Sequence, residues 1–364
     1  MTDDLLGLDD VDTPRRRRLP RGSGLIATLT VIVLLAGIGL AGGRSIGRLL
    51  GRDSPDYSGQ GTGEVIVQVE RGTNASEIAA ELFRKGVVKS AGAFRDVARD
   101  DERSLRIQPG YYRLRREMKA AVALDLFFDP KARLRSRYTI PEGTTVAVTL
   151  ETIAKSVDGV ALADLQEAAK NPAALGLPEY AKGRLEGFLF PATYDVEPFT
   201  PATDVLRAMV ERFEEAAAEM DLEGRARALG RTPYDVLIVA SLVEAETPKD
   251  AERGKVARVA YNRLLKRMPL GFDSTTQYAL GKRKERLTSE DFAADGPYNT
   301  RKRAGLPPTP IGNPGEAALL AALEPEPGPW LYFVCVDTEG NSAFSESYDE
   351  FLRNKRRSTC PGVG

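Results

Sequence analysis

The stretch "RTPYDVLIVASLVEAETPKD", Arg231 to Asp250, decides how the folded part of this 364-residue chain is organised. Thr232 suits an N-cap, Pro233 the first helical position and Asp235 an acidic first turn, so a helix opens there. Pro248 disfavours the α conformation at Thr247 and ends it. From Val236 to Val243 the sequence is apolar nearly all round, which calls for a helix enclosed by other elements. Two carboxylates, Glu244 and Glu246, stand at its C-terminal end. Glu246 follows Val243, Leu242 and Val239 by three, four and seven residues and so extends the bulky stripe inward. Glu244 follows Ala240, Ser241 and Leu237, a smaller and more polar surface. Glu246 is therefore expected to be semi-buried. The negative end of the helix dipole and the loss of water would both raise its pKa. A glutamic acid still protonated near neutral pH can protonate the oxygen of a breaking glycosidic bond. On this stretch alone, the competing reading of two ordinary solvated helix-end glutamates wins.

Downstream, "VARVAYNRLLKRMPLGFDSTTQYAL" reads as a helix holding Tyr261, Asn262 and Arg263, then a loop to Asp273, which is expected to cap a further helix through Tyr278. In the proline-punctuated "GPYNTRKRAGLPPTPIGNPGEAALLAALEP", Asn313-Pro314 is expected to start a helix. "WLYFVCVDTEGNSAFS" is a strand, a turn at Gly340 and a return strand. Long irregular loops inside compact domains are usually functional, so "YNT" and "GLPPTPIGNP" are candidate cleft walls, with turn chemistry as the alternative account of their prolines and glycines.

Upstream, "LEGFLFPATYDVEPF" from Leu185 sets Phe188 and Phe190 on one side of an extended chain with Tyr194 to follow. Sugars pack against such an edge, but core packing is the commoner explanation for such residues. "RYTIPEGTTVAVTLETIAKSV" gives a strand, a turn at Glu142-Gly143-Thr144 and a helix, echoing Val69 to Leu82 as a repeated unit. The earlier copy begins with "EVIVQVE", which alternates as a strand, then turns at Gly72 and offers Asn74 or Ser76 as a helix cap. A second helix near Phe94 to Arg99 and a strand in "IQPGYYRLR" complete a small α+β unit.

Composition narrows the chemistry. There is no histidine, which removes Ser-His-Asp and Cys-His mechanisms and His-ligated zinc. Basic and acidic side chains number 51 and 52, so no global charge points to nucleic acid. Cys335 and Cys360 allow at most one disulfide. From Gly22 to Gly43 no residue is charged, and at ~1.5 Å per residue this run can cross a ~30 Å hydrocarbon core. It is too long for the apolar region of a cleaved signal peptide, so one uncleaved span is expected, with the "AGG" at its end keeping cleavage as the alternative. Arg15 to Arg18 and Arg21 precede it, which favours a cytoplasmic N-terminus. The expected layout is α+β. It has a tail over 1–21, a transmembrane helix over 22–43, a polar spacer over 44–63, the small module over 64–135 and a mixed α/β domain over 136–364.

The ordered motifs "EGFLFPATY", "ASLVEAET", "VAYNRL", "YNT", "GLPPTPIGNPG" and "LYFV", behind one apolar span, resemble the endolytic murein transglycosylase (YceG-like) family from about residue 64 to 354. The small module resembles a LysM-like unit of cell-wall enzymes, with a ligand-free spacer as the alternative. The family resemblance implies a single-pass membrane lyase, its catalytic domain outside the cytoplasm, that cuts peptidoglycan strands internally. It implies no cofactor, and it makes peptidoglycan synthases candidate partners. The family's catalytic glutamate, second in its E-x-E-T motif, falls on Glu246. Asn262, Tyr298 and Asn299 are expected to orient the sugar, with Glu186 and Asp273 as further contacts. The chain departs from the pattern at Ser342, where many members carry histidine, and at "GFDST", Gly271 to Thr275. Three rivals remain: a hydrolytic muramidase using Asp273 as second carboxylate, a non-catalytic wall-binding scaffold, and an intracellular lyase acting on a chorismate-like metabolite.

Overall fold

A computed structural model describes residues 54–281, 284 and 287–360, and the chain mixes helices with small antiparallel sheets. The expected tail, span and first part of the spacer lie outside the described residues. Among the described residues no helix is long and apolar enough to cross a membrane. The chain divides into two units, one ending at Ala132 and the other beginning at Arg133.

In the first unit β1 (Gln60–Val69) pairs antiparallel with β2 (Gly110–Met118). Alternation buries Val65, Val67 and Val69 on β1, and Tyr112 and Leu114 on β2. Between the strands run α1 (Ala75–Arg84) and α2 (Ala91–Asp100), and α3 (Ala120–Leu126) follows. Asn74 is the cap that opens α1, accepting from Glu77 N while the Glu77 carboxylate accepts from Asn74 N. Ile78 and Leu82 from α1, Phe94 from α2 and Leu124 from α3 close the core over the sheet.

The expected spacer is structured from residue 54 onward. Gln60 to Gly63 already belong to β1. The Asp56 carboxylate accepts from Ala120 N at 3.0 Å, and Lys119 N donates to Gly59 O at 2.9 Å. Composition alone reads Gly and Ser as slack, whereas these hydrogen bonds hold the segment in place.

The second unit opens on β3 (Arg133–Leu134) and β4 (Ser136–Thr139), which pairs antiparallel with β5 (Thr193–Val196). Helices α4 (Val146–Ser156), α5 (Leu162–Ala169), α6 (Ala202–Glu219) and α7 (Leu222–Ala228) follow one another around the core. At its centre lies α8 (Pro233–Glu246), in which Tyr234 and every residue from Val236 to Val243 are buried. Thr232 caps it, and Asp235 returns a bond to Thr232 N, which completes a capping box. Around it pack α9 (Asp250–Leu265), α10 (Asp273–Ala279) and α12 (Glu316–Leu323), with α11 (Ser289–Ala293) preceding the long loop. The Phe188 ring is fully buried against Phe213, and Phe190 is buried as well, so the aromatic edge serves the core and not a sugar.

The hairpin of β6 (Tyr332–Cys335) and β7 (Ser342–Ser345) turns at Gly340, whose φ of 80° suits glycine. After it, α13 (Tyr348–Arg357) buries none of its residues. A Cys335–Cys360 disulfide ties its far end to β6, and Thr359 N donates to Val336 O at 3.0 Å. With a sequence separation of 25 residues, reducing this bond is expected to lower stability by about 3 kcal/mol. Denaturant unfolding with and without reductant measures this, and an unchanged midpoint would show that the cross-link constrains nothing.

Candidate active site

Glu246 is the last residue of α8, where the helix leaves the core. Its side chain is only partly covered as a whole, yet its carboxyl is packed round by protein, and that burial raises its pKa. Hydrogen bonding from Ser274 and the charge of Arg301 pull the other way, while Asp273 reinforces the rise. The Ser274 N–H donates to Glu246 Oε1 at 3.2 Å.

Ser274 reaches that point because of where α10 begins. Phe272 N donates to Thr300 Oγ1 at 3.1 Å, Thr275 Oγ1 donates to Phe272 O at 2.7 Å, and the two threonine hydroxyls meet at 2.9 Å. Phe272 is thereby held extended as the N-cap and Asp273 becomes the first helical residue. The expected Asp273 cap is corrected accordingly: the Thr300 hydroxyl of the "YNT" loop takes the N–H of Phe272, the cap residue itself, and Glu246 accepts the N–H of Ser274 that a cap side chain would otherwise receive. Asp273 instead forms an ion pair with Arg301.

Asn299 is buried, and its polar atoms are bonded within its own loop. Its amide donates to Phe292 O at 2.9 Å and Ala294 O at 2.7 Å, and its Oδ1 accepts from Arg301 N at 3.1 Å. Asn262, on α9, donates both amide hydrogens to carbonyls, Gly328 O at 3.0 Å and Trp330 O at 2.8 Å. Both asparagines therefore fasten loops. Tyr298 pairs its hydroxyl with Thr309 Oγ1 at 2.7 Å and packs its ring on Tyr278, centroids 4.9 Å apart.

Glu186 meets the same aromatic pair from the other side. Its Oε2 accepts from the Tyr278 hydroxyl at 2.9 Å and its Oε1 from Val146 N at 2.9 Å. Burial pushes its pKa up to about 7, against both hydrogen bonds. It borders a cavity of about 470 Å³ with Val146, Ala147 and Leu150 on one side and Gln166 and Lys170 on another. The structure thus joins Glu246 with Asp273, and Tyr298 with Glu186, on either end of α10. Asn262 and Asn299 make their bonds elsewhere.

Sequence reasoning missed two polar nodes. The Glu244 side chain is closely covered, although its helix face read as a smaller and more polar surface. Arg253 Nη1 donates to it at 2.8 Å and Gly315 N at 3.0 Å, so an arginine from α9 and a loop amide cover a face that looked polar. Asn313 does not start a helix, since α12 begins at Glu316 with Gly315 as its cap. Asn313 is wholly buried and links three segments: Oδ1 accepts from Gly187 N at 3.0 Å and Leu189 N at 3.1 Å, and Nδ2 donates to Thr144 O at 2.7 Å. Ser342, at the position of the missing histidine, donates its N–H to Glu252 Oε1 at 2.8 Å, which docks the hairpin on the first turn of α9. Among the described residues no group of three or more acidic or cysteine side chains could hold a metal ion.

Comparison with known proteins bears on the family of the chain. A family model described as the YceG-like family matches residues 67–357. An endolytic murein transglycosylase of Bacillus subtilis (strain 168) is 31% identical over 307 residues, covering 80% of this chain and 84% of that protein. One from Streptococcus pneumoniae serotype 2 is 30% identical over 319 residues, and the match covers 80% of this chain but only 57% of that longer relative. Among solved structures, a YceG-like protein from Listeria monocytogenes aligns with a TM-score of 0.56 at 27% identity, over 80% of this chain and 98% of that one.

Proposed function

We infer that this chain, which belongs to the YceG-like family, is a lytic murein transglycosylase that cuts glycan strands internally, with Glu246 as its acid and base. The observation that carries this reading is the placement of Glu246: a carboxyl at the end of a buried helix, its pKa raised by burial, with a single backbone donor on one oxygen. The names of the relatives, endolytic murein transglycosylase, supply the substrate class.

In this mechanism Glu246 gives its proton to the oxygen of the β-1,4 bond between N-acetylmuramic acid and N-acetylglucosamine, and the bond to C1 breaks. The resulting carboxylate takes the proton of the muramoyl C6 hydroxyl, whose oxygen closes on C1 as a 1,6-anhydro ring. Glu246 ends as it began, and no water is consumed. Because the nucleophile belongs to the substrate, one carboxyl is enough, unlike the two-carboxylate hydrolases. Asp273 suits the second hydrolytic role poorly, since Arg301 already pairs with it. Tyr298 and Asp273 are assigned to the glycan, whereas Asn262 and Asn299 act by holding the loops around it.

The wider reading has the chain anchored through residues 22–43, with the LysM-like unit and the catalytic domain outside the cytoplasm and peptidoglycan synthases as partners. A disulfide fits an oxidising compartment of that kind. Mass spectrometry of products from uncrosslinked strands tests the chemistry. Anhydro ends are expected, lighter by one water than the reducing ends of hydrolysis. Reducing ends would favour a muramidase, and glycan retention without cleavage a scaffold.

A further inference from the structure

Ser274 and Tyr278 stand four residues apart on α10 and therefore share one face, separated by about 6 Å along the axis. A carboxyl holds each end of this stretch, one through a backbone N–H at the start of the helix and the other through a side chain about one turn on. Ser274 N–H points to Glu246 Oε1 at 3.2 Å, and the Tyr278 hydroxyl to Glu186 Oε2 at 2.9 Å. Glu186 is itself fixed by Val146 N, the first amide of α4, at 2.9 Å. Tyr298 flanks the Tyr278 ring, and its own hydroxyl is pinned at Thr309. A seven-residue helix has little stability of its own, so its direction is set by such anchors.

We propose that Glu186 is a positioning residue, which through the Tyr278 hydroxyl sets the direction of α10 and so aims the Ser274 N–H at the Glu246 carboxyl. This rests on the reading of Glu246 as acid and base. The aim has a chemical consequence. An oxygen that accepts from an N–H is the one without the proton, so Ser274 reserves Oε1 as the acceptor and leaves the proton on Oε2. The same N–H then stabilises the carboxylate that remains once the proton has gone to the sugar bridge. If α10 pivots, that preference is lost, while Asp273, paired with Arg301, and Tyr298, bonded to Thr309, keep anchors of their own that do not depend on Glu186. The effect of losing Glu186 therefore belongs to the chemical step and not to binding.

The test uses the full chain on uncrosslinked glycan strands, reading release of anhydro ends for Glu186→Ala, Glu186→Gln, Tyr278→Phe, the Glu186→Ala/Tyr278→Phe double variant and Glu246→Gln. Glu186→Ala and Tyr278→Phe are each expected to lower kcat on the order of 10- to 100-fold. KM should stay within about twofold of the parent. The double variant should be no slower than the slower single one, because both break the same bond. Glu186→Gln should recover most of the rate, since its amide oxygen still accepts and its N–H can donate to the tyrosine oxygen. Tyr278→Phe removes a single atom and keeps the proposal testable even if Glu186→Ala fails to fold. A wild-type kcat in Tyr278→Phe, additive losses, or a raised KM with unchanged kcat would overturn it, the last by showing that Glu186 touches glycan directly. Full activity in Glu246→Gln would instead overturn the acid assignment, so the two failures are distinguishable.

Discussion

Replacing Glu246 by glutamine is expected to slow release of anhydro ends by about 10⁴-fold or more, since one side chain performs two proton transfers and a general acid or base contributes roughly 10²- to 10⁴-fold. Glutamine keeps the oxygen that accepts from Ser274 N, so the loss reports chemistry and not a displaced α10. The pH dependence follows from the raised pKa. Glu246 must start protonated, and burial holds its folded pKa above the ordinary 4.5. Cleavage should fall as pH climbs through that folded value, at higher pH than an unperturbed glutamate would show. Stability runs in the same direction. A carboxyl whose folded pKa is raised contributes stability that is fully present below the unfolded pKa and lost as pH rises through the folded one. Glu246→Gln cannot ionise, so its melting temperature should gain on the parent's as pH rises over that window. Anhydro release within about tenfold of the parent would remove Glu246 from both roles.

What the residues reveal by themselves is local. The limits of α8 were legible because Thr232, Pro233 and Pro248 act within a turn of their own positions and because the apolar run between them has one consistent reading. Asn74 opens α1, and Gly340 turns the last hairpin, for the same reason. Spacing on α8 also picked Glu246 as the carboxylate whose pKa rises. The same spacing argument misjudged Glu244, since a helical wheel shows which side chains share a face and not what another element lays over that face. Arg253 and Gly315, which cover it, are nine and 71 residues away. Asp273 was misplaced as a cap for a related reason, since the groups that hold the start of α10 come from Thr300 and Glu246. The bond between Tyr278 and Glu186 spans 92 residues and has no local signature.

Asn313 is where such long-range dependence should cost most stability. Asn313→Ala is expected to lower the unfolding free energy by about 4 kcal/mol, because the amides of Gly187 and Leu189 lose their acceptor in a dry interior and each orphaned group costs roughly 1–3 kcal/mol. The Thr144 carbonyl fares better, still receiving Asn313 N at 3.0 Å. Asn313→Asp separates the two halves of the side chain. It keeps an acceptor for both amides but sets a second oxygen against Thr144 O, where Nδ2 now donates. Protonated, that oxygen can donate instead, and burial favours the protonated form. The aspartate variant should thus approach the parent at low pH and lose stability as pH rises through the folded pKa of the new carboxyl, whereas the alanine variant shows no such slope relative to the parent. Denaturant unfolding at several pH values measures both, and a cost below about 1 kcal/mol for Asn313→Ala would show that the node is dispensable. The consequence extends to catalysis, because Gly187 and Thr144 flank Glu186 and the Thr145–Val146 start of α4. Loosening them disturbs Glu186 and the Val146 N–H that its carboxylate accepts from, so a variant destabilised at Asn313 should also lose kcat while it remains folded.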